Sequence, residues 1–222
     1  MSSDATWCQP GSTVEARTLQ ERLRHRVRLD DDFGDVRWIA GLDAHYARRA
    51  AICWGAAVLL RADGLELVES VLASAPLNFP YVPGLLSFRE APALLAALDL
   101  LSVRPDLVLV DGQGIAHPRR LGIASHIGVL ADLPTIGVAK SRLIGDSDEP
   151  RSERGAAVPL LHQGERIGTV LRTRTGVRPL YVSPGHRVSF ETAARWTLNL
   201  APRFRIPEPT RLADRLSRVH VP

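Results

Sequence analysis

The chain has 222 residues, 45% of them hydrophobic and 23% charged, with a formal net charge of +4 at pH 7 and a pI near 9.7. That composition supports one substantial core and excludes collagen-like and disordered classes, while the basic balance suits a polyanionic partner without demanding one. Cys8 and Cys53 stand at unrelated spacing, which indicates neither a zinc cluster nor a disulfide framework, and the opening MSSDATWCQPG lacks the pattern of an export signal, so a cytoplasmic protein without a membrane span is expected.

In chain order, Ser12-Thr13-Val14-Glu15 has the S-x-x-E form of a capping box, and Leu19, Leu23 and Val27 follow at helical spacing, which predicts an amphipathic helix. VRWIAGLDAHY reads as a buried strand ending near Asp43. AICWGAAVLL and LELVESVLA, on either side of Ala62-Asp63-Gly64, read as a hairpin. Residues 74–86, SAPLNFPYVPGLL, hold three prolines and a glycine and predict a loop. A helix is predicted from Ser87, with Leu94, Leu95, Leu98 and Leu101 on one side, ending before Arg104-Pro105. The apolar run from Leu107 to Asp111 predicts a buried strand, RRLGIASHIGVLADL a helix, and TIGVAK a short parallel strand. After an exposed connection, VPLLHQGERIGTVLRT and VRPLYVS predict further strands, Ser189 with Glu191 caps a helix to about Leu200, and a last helix is predicted from Thr210. Strand, hairpin, helix, strand, helix, strand is an α/β order with a mixed sheet, expected as a single domain over residues 1–222.

The stretch LVLVDGQGIAH concentrates the chemistry. Desolvating the carboxylate of Asp111 at the mouth of a buried strand is costly unless a counter-charge or hydrogen bonds meet it. An Asp-Gly turn would satisfy it locally, and G-x-G-x-x-H lacks the third glycine of a dinucleotide loop. A metal or phosphate site is a third reading, beside the turn. Asp43 and Glu90 stand at similar addresses, and crowded carboxylates repel unless a divalent cation neutralises them; an all-oxygen set suits magnesium or manganese. Each acid also has a plainer reading: Ser87-x-x-Glu90 is itself a capping box, and Asp43 could end its strand in a turn or ion pair. Lys140, after TIGVAK, would share the edge with Asp111 and could hold a phosphate; His117 has a better functional claim than His126, which reads as packing. PYVPG, Pro80 to Gly84, offers a proline-stiffened aromatic tip able to enter a nucleic-acid stack, with Gly112 and Gly114 letting a flat base approach the backbone.

Together these motifs resemble the endonuclease V family of deoxyinosine-directed DNA repair nucleases. The resemblance rests on GLDAHY, PYVPGLLSFRE, LVLVDGQGIAHPRRLGIASHIGV, GVAKSRLIG, SPGHRVSFETA with His186, and PEPTRLAD, in that order along the chain. It implies a ribonuclease-H-like fold, a mixed central sheet with helices on both faces. It implies hydrolysis of the second phosphodiester bond 3′ to hypoxanthine, leaving 3′-hydroxyl and 5′-phosphate ends, with Mg2+ or, in its place, Mn2+. Asp43, Glu90 and Asp111 match the metal-binding acids, Asp214 a further position near the metal, and Lys140 the lysine at the scissile phosphate. Tyr81, Val82 and Pro83 match the wedge; Gly84, Leu86, Gly112, His117 and Ile123 match the surroundings of the base pocket. The expected partner is DNA containing deoxyinosine, bound by a monomer, with inosine in RNA or binding without cleavage as the rival readings.

Overall fold

The computed structural model of the chain describes residues 7–47 and 51–218. Residues 1–6 of the opening stretch and Val219, the last residue of the predicted final helix, lie outside the described residues.

Three ten-residue strands, β1 (Trp38–Ala47), β2 (Ile52–Arg61) and β3 (Leu67–Pro76), form the expected antiparallel meander. β4 (Leu107–Asp111) and β5 (Thr135–Ala139) run parallel beside β1, and β6 (Ala157–His162), β7 (Glu165–Leu171) and β8 (Leu180–His186) complete a mixed sheet of eight strands among the described residues, in the order β3-β2-β1-β4-β5-β8-β7-β6. The short parallel strands are almost wholly buried, as parallel strands covered on both faces must be.

The period of two sorts side chains between the layers. Ala40 and Leu42 of β1 and Val108 and Val110 of β4 pack under α2 (Ser87–Asp99) and α3 (Ile123–Ala131). Ile39, Leu107, Leu109 and Ile136 point to the other face, against Val188, Ala193 and Leu200 on and around α4 (Phe190–Asn199). On that same face α5 (Glu208–Ser217) lies over β1 and β2, with Ala213 among Ala56, Val58 and Leu60. This is the ribonuclease-H-like arrangement. α1 (Thr13–Arg24) sits at the edge of the helical layer, its N-terminus capped by the Ser12 hydroxyl accepting from Glu15 N at 3.2 Å.

Several predicted boundaries move, each for a physical reason. β1 does not end near Asp43 but continues to Ala47, because β2 pairs with it along its whole length, whereas pairing with β4 stops at Leu42–Val110. β3 likewise runs to Pro76, into the predicted loop. α3 begins only at Ile123, because Arg120 adopts a left-handed φ of 55° and Gly122 is extended. α5 starts at Glu208: a proline in the first turn has no amide hydrogen bond to lose.

Candidate active site

Asp43 follows Ile39 and Gly41 on the α5 face of β1, and Asp111 follows Leu107 and Leu109 on the same face of β4. The parallel register Gly41–Leu109 and Leu42–Val110 therefore sets the two acids side by side. α5 crosses above them and contributes Asp214, and carboxylate oxygens of Asp43, Asp111 and Asp214 all lie within 4.8 Å of one another. Lys140, one residue past β5, inserts its ammonium between two of them: Nζ donates to Asp111 Oδ2 and, at 3.1 Å, to Asp214 Oδ1. Arg218 holds the outer side of Asp214 at 2.9 Å, and Ser217 Oγ donates to Asp43 Oδ2 at 2.7 Å.

Glu90, in the first turn of α2 and 8% exposed, stands outside that trio but feels its charge. Burial, with the charges of Asp43 and Asp111 added, pushes its carboxyl up to about 8. The capping-box reading of Ser87 and Glu90 fails. Helix α2 starts from Leu86 without a side-chain cap, and the Ser87 hydroxyl meets His126 Nδ1 at 3.0 Å instead. Asp43 is pushed up to about 7 by burial and by Asp111, against the Ser217 hydrogen bond. In Asp214 burial works upward, but Arg218 and Lys140 outweigh it and hold the acid low. In Lys140 burial works downward, and its two carboxylate partners outweigh it and hold the ammonium high.

These shifts test the fit of a metal. Burial and mutual repulsion push the carboxyls of Asp43 and Glu90 up toward or past neutrality, and Lys140 and Arg218 do not offset that. A divalent cation would supply positive charge, and carboxylate oxygens suit a hard ion such as magnesium or manganese. Asp43, Asp111 and Asp214 form an acidic cluster compatible with a metal-dependent site, with Glu90 behind.

A cavity of about 400 Å³ opens next to the acids and includes Asp111 and Lys140 in its wall. All eight residues matched to the wedge and base pocket line it, Tyr81, His117 and Ile123 among them. The segment matched to the wedge is a tight turn. Leu85 N bonds Val82 O at 2.9 Å, and Pro83 and Gly84 occupy the middle positions with Gly84 at φ 77°, the pattern of a type II turn. Tyr81, just before it, is 64% exposed. His117 Nε2 meets Gly84 O at 2.9 Å, and burial pushes the ring down to about 4, so it is neutral at physiological pH.

Gly112 lines the cavity as expected, at φ 150°, and a Cβ there would approach Ile123 Cγ2 at 2.5 Å. Gly114 does not: a Cβ on it would meet Pro184 O at 2.0 Å, so it serves close packing of the loop on β8 rather than access for a base. His126 is packing, between the rings of Trp7 and Phe88. His186 pairs with Thr135, at the end of β5 away from Lys140, and its Nδ1 accepts from Arg28 N at 3.3 Å. Sequence reading missed Ser217, Arg218 and Gln20; their partners lie far away in the chain, except for the i,i+4 spacing of Asp214 and Arg218, which was legible. Arg89, inside the quoted FRE, was also missed; its Nη1 donates to Phe79 O at 2.6 Å and its guanidinium stacks over Tyr46.

The family profile described as Endonuclease V matches residues 21–215. The chain belongs to the endonuclease V family. Among endonuclease V relatives, that of Rippkaea orientalis is 50% identical over 98% of this chain and 95% of its own. The crystal structure of endonuclease V from Streptomyces avermitilis superposes with a TM-score of 0.91 at 47% identity, covering 95% of this chain and 93% of that one. Endonuclease V from Ciona intestinalis, solved in complex with a 24mer DNA containing an inosine followed by a ribo-adenosine, gives 0.82 at 31% identity, covering 92% and 95%. As an endonuclease V, the protein is a nuclease acting on DNA and a deaminated-base repair enzyme, and no helix among its described residues is long and apolar enough to cross a membrane.

Proposed function

We propose that this endonuclease V recognises hypoxanthine in DNA and hydrolyses the second phosphodiester bond on its 3′ side, leaving 3′-hydroxyl and 5′-phosphate ends, with magnesium as the working cation. The observation that carries this reading is that recognition and cutting share a wall: Asp111 and Lys140 belong both to the acid cluster and to the cavity under the wedge.

Tyr81 enters the duplex where the lesion leaves it, and its turn is already ordered, so insertion costs little chain entropy. The extruded base lies in the cavity, where backbone donors and acceptors around Gly112 and neutral His117 read its edge; weak pairing of a deaminated base makes its extrusion cheaper than that of adenine. The scissile phosphate meets Lys140, whose ammonium is held in the charged state by Asp111 and Asp214 and stabilises charge building on the phosphate oxygens. Asp43, Asp111 and Asp214 would hold the cation, with Glu90 next to them. Bound there, it supplies Lewis acidity at the phosphate and a water of lowered pKa. A second, open trough of about 500 Å³ continues from Lys140 past Arg142 and Arg178, a cationic track for the strand leaving the site.

The test uses end-labelled duplexes with one inosine or none, in magnesium or in chelator, mapped at nucleotide resolution beside the matching RNA. A magnesium-dependent nick at the second bond 3′ to inosine is expected. Binding without a nick in magnesium and manganese would overturn the reading, and preferential cutting of the RNA would move the substrate.

A further inference from the structure

Three side chains converge on one atom of the loop that carries Tyr81. The carbonyl oxygen of Gly84 receives three donors: Gln20 Nε2 at 3.1 Å, His117 Nε2 at 2.9 Å and Arg119 Nη2 at 2.7 Å. The donors are themselves linked. Arg119 Nε donates to Gln20 Oε1 at 2.5 Å, and Arg119 N donates to His117 Nδ1 at 3.2 Å, so the neutral ring carries its proton on Nε2, the atom facing Gly84. Gln20 also donates to Leu121 O at 3.3 Å and is 1% exposed, so every polar atom of its buried amide is engaged.

The packing has the same shape. Ala16 of α1 is buried with Phe79 and Leu85, one on each side of the turn, and Leu19 and Val82 pack against the same cluster. α1 therefore does more than close the core's edge. Through Gln20 it reaches the Gly84 carbonyl of the Val82-Pro83-Gly84-Leu85 turn. Gln20 stands one residue before the span matched by the family profile.

We propose that Gln20 and Arg119 are positioning residues for strand separation: together with His117 they lock the turn by its Gly84 carbonyl, so that Tyr81 meets the duplex as a fixed wedge. This rests on the proposed reading of Tyr81 and the cavity. A loop free to recoil under the load of base-pair opening would lose the work of insertion. A locked loop transmits it to the stack. The lock matters only where there is a pair to open, and that sets it apart from a general contribution to folding.

The experiment compares cleavage of one inosine-containing strand, free and in duplex, by wild type, Gln20→Leu and Arg119→Lys. Leucine keeps the buried volume and removes all three bonds of the amide; lysine keeps the charge and loses the fork. The ratio of duplex to single-strand rates is expected to fall about tenfold or more in Gln20→Leu and by less in Arg119→Lys. A ratio unchanged in both folded variants overturns the proposal. Should Gln20→Leu fail to fold, the ratio in Arg119→Lys decides. A wild type that cuts neither substrate would instead remove the inosine reading; the lock is then judged by exchange of the Leu85 amide, expected to quicken in the variants and overturning the lock if it does not.

Discussion

Ser217 Oγ donates a 2.7 Å hydrogen bond to Asp43 Oδ2 across 174 residues of sequence, inside the protein. The bond fixes the orientation of an acid in the middle of β1 from the last turn of α5, and it opposes the burial that pushes the Asp43 carboxyl up. Ser217→Ala should therefore act on the cation more than on the fold. About tenfold more magnesium should be needed for half-maximal cleavage, with roughly 1 kcal/mol lost in stability. Magnesium titration of the nicking rate beside a melting curve checks both, and an unshifted titration would count against the role given to Ser217.

Asp111→Asn should reduce nicking by more than about a hundredfold, beyond the range typical of residues that only support ligands. Folding should survive, since Asp111 is only partly buried and the amide is isosteric. Single-turnover rates and a circular dichroism spectrum are the readouts.

The metal-free protein should lose stability between pH 5 and pH 8. Folding raises the carboxyl of Glu90 from 4.5 to about 8 and that of Asp43 from 3.8 to about 7. The folded state thus binds more protons than the unfolded chain, and the resulting stabilisation is full below the unfolded values and is lost as pH rises through the folded ones. Glu90→Gln should flatten this slope by an amount on the order of a few kcal/mol. Magnesium should restore stability at pH 8 while releasing protons, because the ligands must be ionised. Melting temperatures in chelator and in magnesium, taken across that range, show whether the slope exists.

Tyr81→Ala should leave melting unchanged, because the side chain is 64% exposed. Affinity for a duplex with one inosine should weaken by roughly 1–3 kcal/mol, the size of a lost base–aromatic stack. Fluorescence anisotropy with labelled duplex measures it, and wild-type affinity in the variant would remove Tyr81 from the interface.

What was legible in the sequence was local. Asp63-Gly64 announced the β2–β3 hairpin, where Gly64 takes φ 76°, and Ser189 announced α4, its hydroxyl accepting from Thr192 N at 3.2 Å. Boundaries set by a partner strand were not legible. Asp43 looked like a strand end, whereas β1 runs past it on the strength of β2. Ser87-x-x-Glu90 looked like a cap, but the serine is taken by His126, 39 residues away. For the same reason nothing in the sequence singled out Gln20: its carbonyl partners at Gly84 and Leu121 are 64 and 101 residues distant. Residue types announced the acids, and only the fold could announce what holds them.

The acid cluster draws on β1, β4 and α5, and α5 rides on the outside of the sheet. It is seated by Ala213, buried among Ala56, Val58 and Leu60, and by the close approach of the Pro209 backbone to Gly41. Three parts of the cluster depend on that helix: Asp214 itself, the Ser217 bond to Asp43, and one of the two anchors of Lys140, whereas the cavity on the other side of Asp111 is lined without it. A change confined to the seat of α5 would therefore disarm the cluster without touching the lining of the cavity.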